Sequence, residues 1–318
     1  MRALSPRPSA ASVSERRARV WPGTDLAELD DAFDQARYAP NHLEVTSRAA
    51  ANSDAARARL GQPKRFPYGP TPIEGLDIYV TKRPNAPVNV LIHGGDWRQG
   101  AAKDYAFAAE LFVNAGAHFV IPDFTNVTAT GGDLMPLADQ VRRAIAWVHA
   151  NAASFGGDPG RIFLTGHGSG AHLGATVLTT DWKKDFGLPA QTVKGALLCS
   201  GLYDLDAVRL SARPAYLKIS DAVEQALSPQ RHVDMINCPV ALAHGAGEPP
   251  QWQRQARDFA NALRNAGKPV QLLIGNGYNQ FEMLETLANP YGLLGRAVLG
   301  QMKLSITWML AQHAPRAW

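Results

Sequence analysis

The sequence predicts an α/β fold, in which a mostly parallel central sheet is covered by helices on both faces and carries a small lid. From residue 88 onward, short apolar runs of strand length alternate with longer runs of helical character. The 318 residues are 46% apolar and 19% charged, which suits a globular chain with a sizeable core. A turn of small residues follows one predicted strand, at the sheet edge where such folds bind ligands.

Two helices are predicted before the sheet. Residues 24–35 are predicted to be helical because Thr24 can cap them and acidic residues crowd the first turns. Residues 41–60 are rich in Ala and Arg, which favour helix. We expect residues 1–20 to form a flexible tail and residues 21–318 to form a single domain. Residues 63–71, rich in Pro, Gly and aromatic residues, are predicted to be a linker.

Apolar runs then predict the strands and helices of the sheet domain. Residues 76–81 alternate apolar and polar side chains, as in an outer strand. The further predicted strands are residues 88–92, 118–122, 161–165, 193–199, 240–243 and 270–274. The predicted helices are residues 105–115, 134–153, 171–178, 252–266 and 293–312. The connection at residues 203–232 is long for a compact domain and is predicted to be a lid.

The stretch from Arg161 to Leu173 has the order strand, sharp turn, helix that a nucleophile elbow requires. The elbow pattern is G-x-S-x-G, and Gly166 and Gly170 supply its two outer glycines. Its central position is Gly168 instead of serine. Glycine tolerates the strained backbone of an elbow at little cost. The chain therefore has the scaffold of a serine hydrolase without the serine.

Composition bears on partners and compartment. The net charge of +4 is concentrated in arginines of the first twenty residues, and no basic stripe with interleaved aromatics follows, so no nucleic-acid partner is predicted. No apolar run reaches membrane-spanning length, so no membrane partner is expected. Cys199 and Cys238 lie in or beside strand-like runs and are predicted to be buried thiols of a reducing, cytoplasmic compartment. The predicted partner is a small molecule, and a homodimer is compatible with the sequence.

Neither a cofactor nor a metal is predicted. The chain has neither a Rossmann glycine fingerprint nor a P-loop. His167 and His172 flank the elbow, but no third ligand stands at a suitable spacing for a metal site. We expect both histidines to pack and form hydrogen bonds.

Four motifs in order resemble the α/β-hydrolase superfamily, in the branch with an HGG oxyanion loop. The loop is His93-Gly94-Gly95-Asp96-Trp97, directly after a predicted strand. It is followed by G-H-x-x-G-x-H-L from Gly166 to Leu173, by Ser200-Gly-Leu-Tyr-Asp204, and by a segment from Asn279 to Glu285 that resembles N-H-F-x-M-L-E. Within that branch the chain resembles the kynurenine formamidase (arylformamidase) and small carboxylesterase group, over about residues 70–302.

The resemblance implies acyl transfer to a serine, with a histidine base oriented by an acid. The nucleophile position would be Gly168, the histidine position Gln280 and the acid position Glu248. The oxyanion donors would be N–H groups of Gly95, Asp96 and Ser169. The residues expected to contact substrate are His93, Gly94, Gly95, Asp96, Trp97 and Ser169. Two of the three triad members are missing.

Each of these residues has a second interpretation. Ser169 is interpreted as a helix cap and not as a displaced nucleophile, because centring the elbow on it would put His167 where a small residue is needed. Gln280 can hold a substrate or a water but cannot serve as a general base. Glu248 is either a relic that pairs with solvent or with Gln280, or simply an exposed loop carboxylate. Asp96 turns either to solvent or into the pocket, where it would oppose acyl transfer and could act as an acid or base.

Three functional hypotheses follow. The first is an ester or formamide hydrolase ancestry with a disabled site, either lost naturally or altered to trap a substrate. The second is a repurposed enzyme with lyase, dehydratase or cyclase chemistry, in which Asp96 and Glu248 carry the acid–base steps. The third is a non-catalytic protein that binds a small aromatic or acyl ligand.

Overall fold

The computed structural model describes residues 30–211 and 213–305, and these contain one sheet of eight strands. The strands are β1 (Lys64–Pro67), β2 (Gly75–Tyr79), β3 (Ala86–Ile92), β4 (His118–Pro122), β5 (Gly157–His167), β6 (Val193–Cys199), β7 (Val240–Gly245) and β8 (Val270–Gly275). Their order is β1-β2-β4-β3-β5-β6-β7-β8. β2 is antiparallel to both neighbours, and all pairs from β4 to β8 are parallel. The predicted mostly parallel sheet is confirmed.

Helices cover both faces of this sheet. The α-helices are α1 (Gln35–Tyr38), α2 (His42–Leu60), α3 (Ala109–Asn114), α4 (Met135–Asn151), α5 (Ser169–Leu178), α6 (Trp182–Phe186), α7 (Leu205–Arg209), α8 (Asp221–Leu227), α9 (Pro250–Asn265), α10 (Gln280–Glu285) and α11 (Leu293–Gln301). One apolar core packs α4, α5 and α9 against the sheet, and a second packs α3 and α11 against the opposite face. Burial of apolar side chains on both faces is what a parallel sheet requires.

Several predicted elements need correction. The linker predicted for residues 63–71 contains β1, which pairs with β2 and makes β2 an inner strand with all five residues buried. Of the helix predicted for residues 24–35, residues 30–35 are described. Residues 30 and 31 are helical, a turn follows at residues 32 and 33, and Asp34 then caps the separate helix α1. The helix predicted for residues 293–312 ends at Gln301, and residues 306–312 lie outside the described range. The predicted tail at residues 1–20 lies outside it as well.

Strand register brings the functional loops to one edge of the sheet. Ile92 at the end of β3 pairs with Gly166 in β5, and His167 pairs with Cys199 at the end of β6. Gly245 at the end of β7 pairs with Gly275 at the end of β8. The loops that begin at residues 93, 168, 200, 246 and 276 therefore start side by side. This is the carboxyl edge, where parallel sheets bind ligands.

The predicted lid, residues 203–232, contains two short α-helices and a 3₁₀ turn at Arg213–Ala215. Its backbone is tied to the body of the domain, because the Lys218 N–H donates to the Gly132 carbonyl at 2.9 Å. Cys199 and Cys238 are buried free thiols, as predicted, and burial raises the pKa of Cys238 to about 12. Within the described ranges, no helix is long and apolar enough to cross a membrane.

Candidate active site

The turn between β5 and α5 has the backbone of a nucleophile elbow. Gly168 lies at φ +57° and ψ −124° and is the N-cap of α5. A Cβ atom on Gly170 would lie 2.1 Å from the Ile92 carbonyl oxygen, and one on Gly166 would lie 2.7 Å from the Gly170 carbonyl oxygen. Both neighbours are backbone, which cannot move aside as a side chain can. The two outer glycines of the pattern are therefore required by close packing of the turn.

Ser169 does not cap the helix as predicted. The N-cap is Gly168, Ser169 is the first residue of α5, and no side chain forms a capping hydrogen bond there. In a nucleophile elbow the residue that would carry the nucleophile is also the N-cap of the following helix. Here that residue is Gly168, so Ser169 comes one position too late to cap α5. The Ser169 hydroxyl therefore makes no capping hydrogen bond, and the group that Ser169 contributes at the helix N-terminus is its backbone N–H.

The structure brings the nucleophile and histidine positions together. A Cβ atom on Gly168 would lie 3.0 Å from Nε2 of Gln280. Gln280 is the first residue of α10, which Asn279 and Glu282 cap reciprocally. The Gln280 side chain is buried, and its Oε1 has no hydrogen-bond partner in the described part of the chain. The amide thus occupies the place that the resemblance assigns to the catalytic imidazole.

His167 fixes α10 against the elbow. Its Nε2 donates to the backbone carbonyl of Gln280 at 2.9 Å, because a carbonyl oxygen can only accept. Burial lowers the pKa of His167 to about 4, so the ring is neutral near pH 7. The prediction that His167 packs and forms hydrogen bonds is confirmed, and the bond explains how residue 280 is positioned.

Glu248 follows β7 and is buried, with only 1% of its surface exposed, so an exposed carboxylate there is ruled out. Its Oε1 accepts from the Ser200 hydroxyl and from the Gly245 N–H, both at 2.6 Å. Its Oε2 has no partner among the described residues. Burial raises the pKa of Glu248 from 4.5 to about 7. Ser200 has a left-handed backbone, with φ +57°. Its position at the start of one of the four motifs is the sequence signal for this residue, but the motif does not reveal that its hydroxyl binds the acid position.

The loops carrying Glu248 and Gln280 are in direct contact. The Gly247 N–H donates to the Tyr278 carbonyl at 3.0 Å, and a Cβ atom on Gly245 would lie 2.2 Å from the same oxygen. The nucleophile, histidine and acid positions therefore lie on adjoining loops, as the resemblance implies.

The oxyanion loop also depends on glycine. Gly95 lies at φ +116°, and a Cβ atom there would lie 1.9 Å from the Gln99 carbonyl oxygen. A Cβ atom on Gly94 would lie 2.9 Å from the His167 carbonyl oxygen. Across the described ranges, the N–H groups of Gly95, Asp96 and Ser169 donate to no protein group. These three predicted oxyanion donors remain available to a ligand.

Trp97 supports the loop from below and does not line the site, which corrects its assignment as a substrate contact. It is 2% exposed, and its Nε1 donates to Nδ1 of His172 at 3.2 Å. Nε2 of His172 in turn donates to the Leu227 carbonyl at 2.8 Å. Burial lowers the pKa of His172 to about 4. The large apolar indole of Trp97 is buried in the core, and its N–H is satisfied by His172. Through His172 and Leu227, these hydrogen bonds connect the oxyanion loop to the lid.

His93 is likewise beneath the loop. Its ring stacks on Phe124 at 4.4 Å and on Tyr105 at 5.2 Å between centroids, and its Nδ1 contacts the Gly94 carbonyl at 2.8 Å. Burial lowers the pKa of His93. The ring braces the start of the oxyanion loop, so its assignment as a direct substrate contact is corrected as well.

The Asp96 carboxylate is paired with the lid, and the residue also lines a cavity beside the loop. Its carboxylate forms ion pairs with Arg213 and, at 3.1 Å, with Arg98. The Tyr216 hydroxyl donates to its Oδ2 at 2.7 Å. Two guanidinium groups and a hydroxyl occupy the oxygens that a general base would need. The structure therefore makes Asp96 a tie between the oxyanion loop and the lid, and gives no support to its predicted acid or base role.

A cavity of about 460 Å³ lies beside the oxyanion loop. Residues that line it include Phe33, Asp96, Gln99, Arg213, Tyr216 and Phe281. Asp96 belongs to the oxyanion loop, and Phe281 is the residue that follows Gln280. The described residues contain no group of three His, Cys, Asp or Glu side chains that could hold a metal ion.

The amino-acid sequence is similar to those of several known proteins. Residues 76–197 match the BD-FAE family model. The chain is 30% identical over 283 residues to the kynurenine formamidase of Salmo salar, covering 85% of this chain and 94% of that protein. It is 28% identical over 292 residues to the kynurenine formamidase of Danio rerio, covering 88% and 97%. It is 27% identical over 256 residues to esterase LipQ of Mycobacterium tuberculosis, covering 73% and 60%.

Solved structures agree on the fold. A putative thioesterase from Silicibacter sp. TM1040 superposes with a TM-score of 0.70 at 21% identity, covering 83% of this chain and 96% of that one. Esterase LipW from Mycobacterium marinum superposes with a TM-score of 0.65 at 18% identity, covering 91% and 96%. At these identities the likeness concerns the fold alone.

Proposed function

The chain belongs to the arylformamidase and esterase group of the α/β-hydrolases, and we propose that it binds a small ester, amide or aromatic acyl compound with little or no serine-hydrolase activity. The observation that carries the proposal is the pairing of Gly168 with Gln280, whose Nε2 lies 3.0 Å from the Cβ position of residue 168. The scaffold of the triad is assembled, but the two groups that form bonds and move protons are absent.

Chemistry explains why this pair cannot run the acyl-transfer cycle. Glycine offers no hydroxyl to attack a carbonyl, and a carboxamide does not accept a proton near neutral pH. The oxyanion donors and the cavity can still bind an acyl group. Turnover is then limited to what binding and oxyanion stabilisation provide, about 10³- to 10⁴-fold over water in triad deletions.

Acid–base chemistry without a nucleophile has weaker support. Asp96 is held by Arg213, Arg98 and the Tyr216 hydroxyl, so its lone pairs are already committed. Glu248 keeps one oxygen without a partner among the described residues, but the side chain is buried and its Oε1 already accepts from Ser200 and Gly245. Such a carboxyl is better suited to orient a neighbouring group than to exchange protons with a substrate.

The test is to restore the missing groups. We would compare the native chain with the double variant Gly168→Ser plus Gln280→His on an aryl acetate and an N-formyl arylamine. A serine at residue 168 would stand beside the side chain of residue 280, and Glu248 Oε2 has no hydrogen-bond partner among the described residues. We expect native turnover no higher than the residual rate of about 10³- to 10⁴-fold over water, and an increase over the native rate of about 100-fold or more in the double variant, since general-base catalysis alone contributes about 10²- to 10⁴-fold.

The single variants are the matched controls, because each restores one group only and is expected to keep a rate close to that of the native chain. Incubation of the native chain with a fluorophosphonate gives an independent readout. Covalent labelling of the native chain at Ser169, or efficient hydrolysis by it, would overturn the proposal.

A further inference from the structure

We propose that the dipeptide Asn276-Gly277 is a site of spontaneous covalent modification, at which Asn276 loses ammonia and becomes mostly isoaspartate. The dipeptide lies in the turn that joins β8 to α10, the helix that begins with Gln280. No other asparagine of the sequence is followed by glycine. The modification does not depend on the proposed function, because its chemistry needs only the main chain, one side chain and solvent water.

The backbone of the turn leaves the reacting nitrogen without a hydrogen bond. The Tyr278 N–H donates to the Gly275 carbonyl at 3.3 Å and so closes a β-turn. Gly277 is the third residue of that turn and lies at φ +80°, the sign that a type II turn requires there. Within the described ranges the Gly277 N–H donates to no group. No hydrogen bond therefore has to break before this nitrogen reacts.

The two reacting groups are also accessible. Asn276 and Gly277 are both exposed, and the Asn276 side chain forms no hydrogen bond with any described residue. A Cβ atom on Gly277 would have no heavy atom within 4 Å, so the space around this residue is open. Glycine itself has no side chain that would shield its nitrogen. Asparagine is one of the thermally labile residue types, and here neither packing nor hydrogen bonding protects it.

The reaction balances through loss of ammonia and gain of water. The Gly277 nitrogen attacks Cγ of Asn276, a new N–Cγ bond closes a succinimide ring, and the side-chain nitrogen leaves as ammonia with the proton of the Gly277 N–H. Water then opens the ring, giving its hydroxyl to the carbonyl carbon and its proton to the nitrogen. Cleavage of the new N–Cγ bond yields aspartate, and cleavage of the original peptide bond yields isoaspartate. The second route predominates because the main-chain carbonyl, next to the carbon that bears the α-nitrogen, is the more electrophilic one.

Isoaspartate disturbs the contact between the two loops of the site. It routes the main chain through Cγ and lengthens the turn by one carbon–carbon bond, about 1.5 Å. The Gly275 carbonyl also accepts from the Ala246 N–H at 2.9 Å, and a Cβ atom on Gly245 would already lie 2.2 Å from the Tyr278 carbonyl oxygen. The same oxygen accepts from the Gly247 N–H at 3.0 Å. A longer turn cannot keep all of these contacts, so modification loosens the loop of the acid position from the loop of the histidine position.

Peptide mapping by mass spectrometry, with fragmentation that separates aspartate from isoaspartate, tests the proposal on the full chain aged in mildly alkaline buffer. We expect Asn276 to convert, with isoaspartate as the major product. Asn279 lies in the same tryptic peptide and is an internal control, since its side chain caps α10 and accepts from the Phe281 N–H. Asn52, which precedes Ser53 inside α2, is a second one. Both are expected to stay intact.

Urea denaturation of fresh and aged protein measures the structural effect, and we expect a lower midpoint after ageing. Asn276→Gln would need a larger, less favourable ring and should pass through the same incubation unmodified, with an unchanged midpoint. Freshly prepared Asn276→Asp carries the new charge on a main chain of normal length. Its midpoint should be close to that of the fresh native chain, which separates the effect of charge from that of the longer turn.

An intact Asn276 after ageing, or conversion no faster than that of Asn279, would overturn the proposal. A native midpoint in protein that contains isoaspartate at residue 276 would overturn the loosening of the two loops. Neither result bears on the triad positions, so failure here is distinguishable from failure of the proposed function, which fluorophosphonate labelling reports.

Discussion

Replacing Glu248 with glutamine isolates the energetic effect of burying the acid of the site. Glu248 is 1% exposed, and its Oε1 accepts hydrogen bonds from Ser200 and Gly245. The amide oxygen of glutamine can keep both bonds, but the amide cannot ionise near neutral pH. The substitution therefore removes the titration while leaving size and most contacts in place.

The magnitude follows from the pKa. Burial raises the pKa of Glu248 from 4.5 to about 7, so the folded protein binds more protons than the unfolded chain between these pH values. The contribution of Glu248 to stability is fully present below pH 4.5 and is lost as the pH rises through about 7. At about 1.4 kcal/mol per pKa unit, the loss is about 3 kcal/mol.

The native pH profile alone would not show this loss, because buried histidines act in the opposite direction. His167 and His172 have pKa values lowered to about 4, so their contribution grows as the pH rises from about 4 to 6.5. Both histidines are retained in Glu248→Gln. The difference in unfolding free energy between the two proteins at each pH therefore reports Glu248.

Urea denaturation of both proteins across pH 4.5 to 8 at constant ionic strength provides the measurement. We expect the free energy of unfolding of Glu248→Gln, relative to the native chain, to rise by about 3 kcal/mol across this range. Leu43→Ala, at a position that is 74% exposed, changes no ionisable group and is the control, for which the difference should be flat. A flat difference for Glu248→Gln would refute the reasoning, and so would a fall with rising pH.

Three further substitutions test the elbow and the loop by denaturant unfolding. Gly168→Ala should cost about 1–3 kcal/mol, because φ is +57° there, and no loss would mean that the turn is relaxed. Gly170→Ala should cost more than about 3 kcal/mol, since its Cβ would lie 2.1 Å from the Ile92 carbonyl oxygen, and a native-like midpoint would contradict this packing. Tyr216→Phe removes a 2.7 Å hydrogen bond to Asp96 and should cost about 1–2 kcal/mol, whereas an unchanged stability would show that the bond is not formed in solution.

The local pattern of apolar and polar residues is sufficient to predict most strands and helices of the fold. The strand at residues 118–122 and the strand at residues 193–199 were predicted with their observed bounds, because each is a short apolar run that both faces of a parallel sheet bury. The elbow was also predictable, since Gly166, Gly168 and Gly170 describe a backbone constraint that acts within a few residues. Elements with mixed local signals were missed, and β1 is an example, because a short edge strand rich in charge and proline is defined by its partner strand.

The sequence by itself determined the scaffold and the absence of a serine and a histidine from their expected positions. Only the tertiary structure decided what the remaining residues do. In the folded chain Glu248 is buried with one oxygen that has no partner among the described residues, and Trp97 is buried beneath the oxyanion loop. The Asp96 carboxylate forms an ion pair with Arg213. The bond from His167 to Gln280 spans 113 residues, and the Asp96–Arg213 pair spans 117. Such contacts depend on how distant loops meet when the sheet forms, and no local periodicity or spacing encodes that meeting.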